Sequence, residues 1–132
     1  MDNKALSIFR YYKNPEGHYF PLIPATLKYQ NKIFDTDALV DSGATISIFQ
    51  SDVAKYLGIK IEAGKQIFLG GVGGHIKGFV HKLEIELANK KFICPIVFSY
   101  EYFVSFNLLG RLEFFKRFRI IFEEKKNYLK LE

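Results

Sequence analysis

Asp41 is the residue on which chemistry could be built. It closes the apolar run Ala38-Leu39-Val40 and is followed by Ser42, Gly43, Ala44 and Thr45. The apolar run predicts a buried strand. Gly43 predicts a sharp turn at its end, since glycine takes backbone angles that a side chain forbids. A carboxylate placed there is partly cut off from water. That is costly unless the charge is shared, hydrogen-bonded or used. The use would be acid–base chemistry. The plainer alternative is a structural turn Asp that caps Thr45 or a nearby N–H.

Other reactive side chains are sparse. His18, His75 and His81 have no partners at metal-ligand spacing, so no metal site is expected. Cys94 is the single cysteine, cannot form an internal disulfide, and reads as a core residue without a nucleophile signature. His75 lies in Gly70–Gly78, where five of nine residues are glycine. Gly71-Val72-Gly73 contains Gly-x-Gly, but no helix opens after it and no Lys-Ser/Thr follows. The stretch therefore predicts a glycine-rich β-hairpin rather than a phosphate cradle, with His75 as a solvated loop residue. No cofactor is expected.

These residues need a scaffold, and the composition bounds it. A chain of 132 residues with 48% hydrophobic content predicts one domain with its own core. Its 14 Phe and 8 Tyr favour strands, so the fold class expected is all-β. The net charge of +5 raises a nucleic-acid partner, but the cations are scattered and no aromatic-basic stacking motif occurs. Arg111, Lys116, Arg117 and Arg119 read as the wet face of a helix. Met1–Arg10 lacks the apolar core of a signal peptide, and Phe92–Gly110 is broken by Pro95 and Glu101. No membrane partner is expected, and the location expected is cytoplasmic.

Along the chain, residues 1–18 remain unassigned, although Leu6, Ile8 and Phe9 could start a strand, and residues 19–132 read as the single domain. Tyr19–Tyr29 and Ile33–Val40 predict a hairpin that delivers Asp41. Ser51 looks like a helix N-cap, Val53, Ala54 and Leu57 an apolar face, and Gly58 the terminator. Ile59 and Ile61 predict a return to extended chain. Val80–Leu87 alternates as a half-buried strand, and Phe92–Phe98 is its partner. Tyr102–Phe106 reads as a short strand or a loop. Asn107-Leu108-Leu109-Gly110 precedes a predicted helix over Arg111–Phe118, with Leu112, Phe115 and Phe118 on its apolar face.

Leu39-Val40-Asp41-Ser42-Gly43-Ala44-Thr45 resembles the catalytic turn of the retropepsin-like aspartic proteases. Three further parts follow in that family's order: a flap at Gly70–Gly78, the apolar-apolar-Gly sequence Leu108-Leu109-Gly110, and a helix directly after it. The resemblance spans roughly residues 19–131; the terminal hairpin Ile120–Leu131 adds a strand beyond the minimal viral form. It implies an acid-protease-type closed β-barrel lobe with one or two short helices and a flap hairpin. It implies peptide-bond hydrolysis, with Asp41 catalytic and Ser42, Gly43, Ala44 and Thr45 supporting its turn. Gly71, Val72, Gly73, Gly74, His75 and Ile76 would cover an extended polypeptide substrate, and Leu108, Leu109 and Gly110 would scaffold the subsites. Aspartic proteolysis needs two carboxylates sharing a proton. None of the other aspartates, Asp2, Asp35, Asp37 and Asp52, carries the required Ser/Thr-Gly. The expected partner is therefore a second copy, each contributing one Asp41 across a two-fold axis. The alternative is an inactive lobe of this family used for dimerisation or peptide binding.

Overall fold

The computed structural model describes residues 6–71 and 74–132. Among them run β1 (Ser7–Arg10), β2 (Tyr12–Lys13), β3 (Tyr19–Phe20), β4 (Leu22–Tyr29), β5 (Lys32–Val40) and β6 (Ser47–Gln50). The helix α1 (Ser51–Leu57) follows. Then come β7 (Lys65–Gly71), β8 (Gly74–Leu87), β9 (Lys90–Ser99), β10 (Asn107–Leu109), β11 (Ile120–Glu123) and β12 (Tyr128–Leu131). The chain is all-β apart from α1 and short helical turns.

Seven strands form one sheet in the order β4-β5-β10-β6-β9-β8-β7. β4 also pairs β8 through Thr26↔Glu86, Leu27↔Ile85 and Lys28↔Glu84, so the run of pairings returns to its first strand. Alternation sets which face is buried. In β4, Ile23, Ala25 and Leu27 are buried while Pro24 and Lys28 are exposed. Pro24 has no N–H to offer, and the pairing with β8 begins only at Thr26. The core gathers Ile23, Leu27, Phe49, Leu83, Ile85, Ile96, Phe98 and Leu109. Each such side chain contributes about 1.5–3 kcal/mol by leaving water.

β8 serves two partners. Phe79–Leu87 pairs with β9, and Gly74–Val80 pairs with β7 as a hairpin closed by Gly71↔Gly74. Gly78 sits where the two roles meet. A Cβ there would lie 2.5 Å from Val97 Cγ1, so only glycine lets β8 pass that close to β9. Val72 and Gly73 lie outside the described residues.

α1 starts one residue away from the expected cap. Gln50 occupies the N-cap with extended backbone and no side-chain cap bond, and Ser51 is already helical. The side chain of Gln50 is engaged elsewhere, donating from Nε2 to Val104 O at 2.9 Å. Val53, Ala54 and Leu57 are buried as expected, and Gly58 terminates the helix in left-handed geometry (φ 74°). Ile61–Ala63 forms a helical turn rather than extended chain.

A separate three-stranded sheet has the order β1-β12-β11. β1 pairs β12 antiparallel from Ser7↔Leu131 to Arg10↔Tyr128. The strand over Leu6, Ile8 and Phe9 thus exists, and its partner is at the far end of the chain. β2 and β3 form a small hairpin around Asn14-Pro15-Glu16-Gly17. No helix among the described residues is long and apolar enough to cross a membrane.

Candidate active site

Asp41 leaves β5 half-buried, while Ser42 and Gly43 are exposed. Ala44 N–H donates to Asp41 O at 3.2 Å, which closes a turn. Gly43 N–H donates to Asp41 Oδ1 at 2.9 Å. The carboxylate therefore does cap an N–H of its own turn, at Gly43 rather than Thr45, and this bond fixes its orientation. Among the described residues it is the only hydrogen bond that side chain makes inside the chain. Gly43 is not in left-handed backbone geometry. A Cβ at Gly43 would stand 3.3 Å from Asp41 Oδ1, close enough that the carboxylate would have to shift by a few tenths of an ångström.

The turn is held from below by β10. This strand lies between β5 and β6, parallel to β5 (Leu108↔Leu39, Leu109↔Val40) and antiparallel to β6 (Leu108↔Ile48). Asp41 N–H donates to Leu109 O at 3.0 Å. Arg111 and Leu112 N–H donate to Ala44 O and Thr45 O, each at 2.9 Å. Gly110 passes so close that a Cβ would sit 2.5 Å from the Ile46 backbone and 2.9 Å from Ala44 O. The two motifs singled out in the sequence, Asp41–Thr45 and Leu108–Gly110, are thus brought into direct backbone contact.

Two buried polar side chains stitch β10 in place, and nothing in their local sequence marks them. Ser47 Oγ accepts from Gly110 N–H at 3.0 Å. Asn107 Oδ1 accepts from Gln50 N–H at 2.8 Å, and its Nδ2 donates to Thr36 Oγ1 and Asp37 O, both at 3.1 Å. Among the described residues no buried side-chain nitrogen or oxygen lacks a hydrogen-bond partner.

After Gly110 the expected regular helix over Arg111–Phe118 is replaced by a wide, broken turn over Arg111–Phe115. Leu112 (ψ 124°) and Glu113 (φ 64°) are non-helical. Their neighbourhood is already committed: Arg111 and Leu112 are bonded to the catalytic-type turn, and Phe114 must reach the core, where it is fully buried. Leu112 is consequently exposed, and Phe114 and Phe118 form the buried face. Glu113 accepts from Arg117 Nη2 at 2.9 Å, and that bond holds its carboxyl below the usual range.

Among the described residues, the glycine-rich hairpin and Asp41 line different clefts. Gly71, Gly74, His75 and Ile76 line a cleft of about 360 Å³ against Ile48 and the 101–104 loop. That loop is tied to the hairpin: Lys77 N–H donates to Glu101 Oε1 at 3.0 Å, and Ser99 Oγ donates to Lys77 O at 2.5 Å. His75 is exposed and lies across Gly70, with ring atoms 3.1 Å from a Cβ position there. Asp41 and Ser42 line a second groove of about 440 Å³ with Phe20, Leu39, Phe122 and Glu124.

Tyr102 links the two sides, and the sequence reading passed it over. It is buried, and its hydroxyl donates to Phe106 O at 2.6 Å. Burial pushes the phenol up to about 12, and the negative charge of Asp41 adds to the shift. Cys94 is fully buried, as expected, and burial raises its thiol to about 11. No cluster of three or more His, Cys, Asp or Glu side chains among the described residues could hold a metal ion.

A family model described as aspartyl protease matches residues 24–99, more than half of the chain. A retropepsin-like aspartic protease from Rickettsia conorii superposes with a TM-score of 0.68 at 21% identity, covering 95% of this chain and 98% of that one. EIAV protease, solved in complex with the inhibitor HBY-793, superposes with a TM-score of 0.55 at 19% identity, covering 70% and 82%. At these identities the two likenesses concern the fold. No curated protein matches the chain.

Proposed function

Because the chain belongs to the aspartyl protease family, we propose that it is a retropepsin-like aspartic endopeptidase working as a homodimer. The observation that carries this reading is the held geometry of Asp41: its main chain bonded to Leu109, and one carboxylate oxygen bonded to Gly43 N–H. Two such carboxylates brought within a few ångströms cannot both ionise, so the pair keeps one proton. The ionised partner takes a proton from a water, and that water attacks the scissile carbonyl carbon. The protonated partner gives its proton to the carbonyl oxygen. Collapse of the tetrahedral intermediate breaks the C–N bond as the leaving nitrogen takes up a proton. The titration belongs to the pair and not to either Asp41.

In this reading Ser42 bonds across the two-fold axis, and Gly43, Ala44 and Thr45 hold the loop in shape. The hairpin from Gly71 to Ile76 closes over the substrate as a flap, binding it as an extended strand through backbone groups. Leu108, Leu109 and Gly110 form the floor. The return of the strand pairings to β4 supports a closed barrel lobe.

The test is a peptide-library digest at several pH values, comparing wild type with Asp41→Asn. Cleavage is expected from wild type and should fall by about 10²–10⁴-fold or more in the variant. Equal cleavage by both removes Asp41 from the mechanism. No cleavage by either supports the inactive lobe that serves dimerisation or peptide binding.

A further inference from the structure

The β7–β8 hairpin changes its support part-way along. β9 runs beside β8 from Leu87↔Lys90 to Phe79↔Phe98 and pairs no further. β7 continues with β8 to Gly71↔Gly74. From Gly78 to Gly74, β8 therefore has a strand on one side only. A two-stranded ribbon is marginal by itself in water. What grips its root decides where it bends.

That root is Lys77. Its N–H donates to Glu101 Oε1 and its C=O accepts from Ser99 Oγ, so both groups point away from Phe68, its partner on β7. Two side chains thus stand in for the strand that has run out. They are tied to each other, since Glu101 N–H donates to Ser99 Oγ at 3.0 Å. Ser99 is fully buried, and its carbonyl accepts from Tyr102 N–H at 3.3 Å. Glu101 is exposed and, among the described residues, makes no ion pair. It is the only carboxylate among the residues lining the cleft formed with Gly71, Gly74, His75 and Ile76. The residue that grips the root therefore also belongs to the wall that faces the tip.

We propose that Glu101 is a positioning residue whose carboxylate pins Lys77, so that the hairpin bends at Lys77–Gly78 and its tip keeps a set height over the cleft. A charged acceptor suits the task, because a hydrogen bond to a carboxylate is about twice as strong as one between neutral groups. It holds an N–H at a strand edge where water competes for it. Gly78 cannot slide to compensate, being pressed against Val97. The consequence for an extended polypeptide under the hairpin rests on the peptidase reading above. The clamp on Lys77 does not.

Amide exchange on the full chain tests the clamp, comparing wild type with Glu101→Ala and Glu101→Gln. Exchange at Lys77 should quicken about tenfold or more in Glu101→Ala, and less in Glu101→Gln, which keeps an acceptor oxygen. Amides of Phe79–Leu87 should exchange as in wild type. In peptide cleavage, Glu101→Ala should raise KM about tenfold with kcat within about twofold, because the hairpin holds substrate without reacting. Glu101→Gln should recover most of that KM. Unchanged exchange at Lys77 in Glu101→Ala overturns the proposal. So does faster exchange along all of β8, which would make Glu101 a general support of the sheet. Should Glu101→Ala fail to fold, the Lys77 amide in Glu101→Gln decides in the same way. The two readings separate. A wild type that cuts no peptide sinks the peptidase and leaves the clamp to the exchange data. Faster Lys77 exchange with KM unchanged sinks the positioning role and leaves the peptidase standing.

Discussion

Asp41 is poised by neighbours that do no chemistry themselves. One oxygen accepts from Gly43 N–H, and the residue lines the groove. Tyr102 matters at this scale because it is buried within reach of the Asp41 charge and anchors the 102–106 loop through Phe106 O. Its phenol ordinarily releases a proton near 10.0, but in the folded chain only near about 12. The unfolded chain thus loses that proton first. The stability the neutral phenol contributes is complete below pH 10 and drains away as pH rises towards 12. Tyr102→Phe should flatten part of the fall in melting temperature across that window. At neutral pH it should cost about 1 kcal/mol for the lost hydrogen bond, read by chemical denaturation. An unchanged pH dependence would show that Tyr102 is not buried beside the site.

β10 is the element that turns a strand end into a site. It is only three residues long, yet it bonds to both β5 and β6 and accepts the Asp41 N–H. Its close passage beneath the turn depends on Gly110, since a methyl there meets the Ile46 backbone and neither strand can move aside. Gly110→Ala should destabilise the chain by about 3 kcal/mol in urea titration, as overpacking does when backbone is the obstacle. A cost near zero would mean that β10 and the turn are not in contact. The broken turn after Gly110 belongs to the same scale. Leu112, Phe115 and Phe118 have helical spacing, but the bonds to Ala44 and Thr45 leave Leu112 outside and draw Phe114 inward.

The whole molecule supplies one Asp41, which in the proposed reading is half of a proton-sharing pair. Its ends are used to build a second sheet, with β1 and β11 flanking β12. If the working unit is two chains, the rate per chain must depend on concentration. Below the dissociation constant of the dimer, each twofold dilution should lower the cleavage rate about fourfold, or about twofold per chain, by mass action. A rate per chain that stays constant down to a demonstrably monomeric sample would rule out a shared site.

Residues close together in the chain carried what the sequence by itself determined. Apolar residues leading into Asp41-Ser42-Gly43 specify a strand and a tight turn, alternation specifies the Val80–Leu87 part of β8, and Gly58 specifies a helix end. Each depends on the conformational freedom of a few neighbouring residues. Tertiary structure alone decided the rest. Asn107 and Ser47 find their partners only once β10 is threaded between β5 and β6. Tyr102 comes under the influence of Asp41 across a sequence gap of some sixty residues, and β1 meets β12 from opposite ends of the chain. Such contacts arise when strands distant in the chain come to lie side by side, and no local pattern of residue types encodes which distant strand will be there.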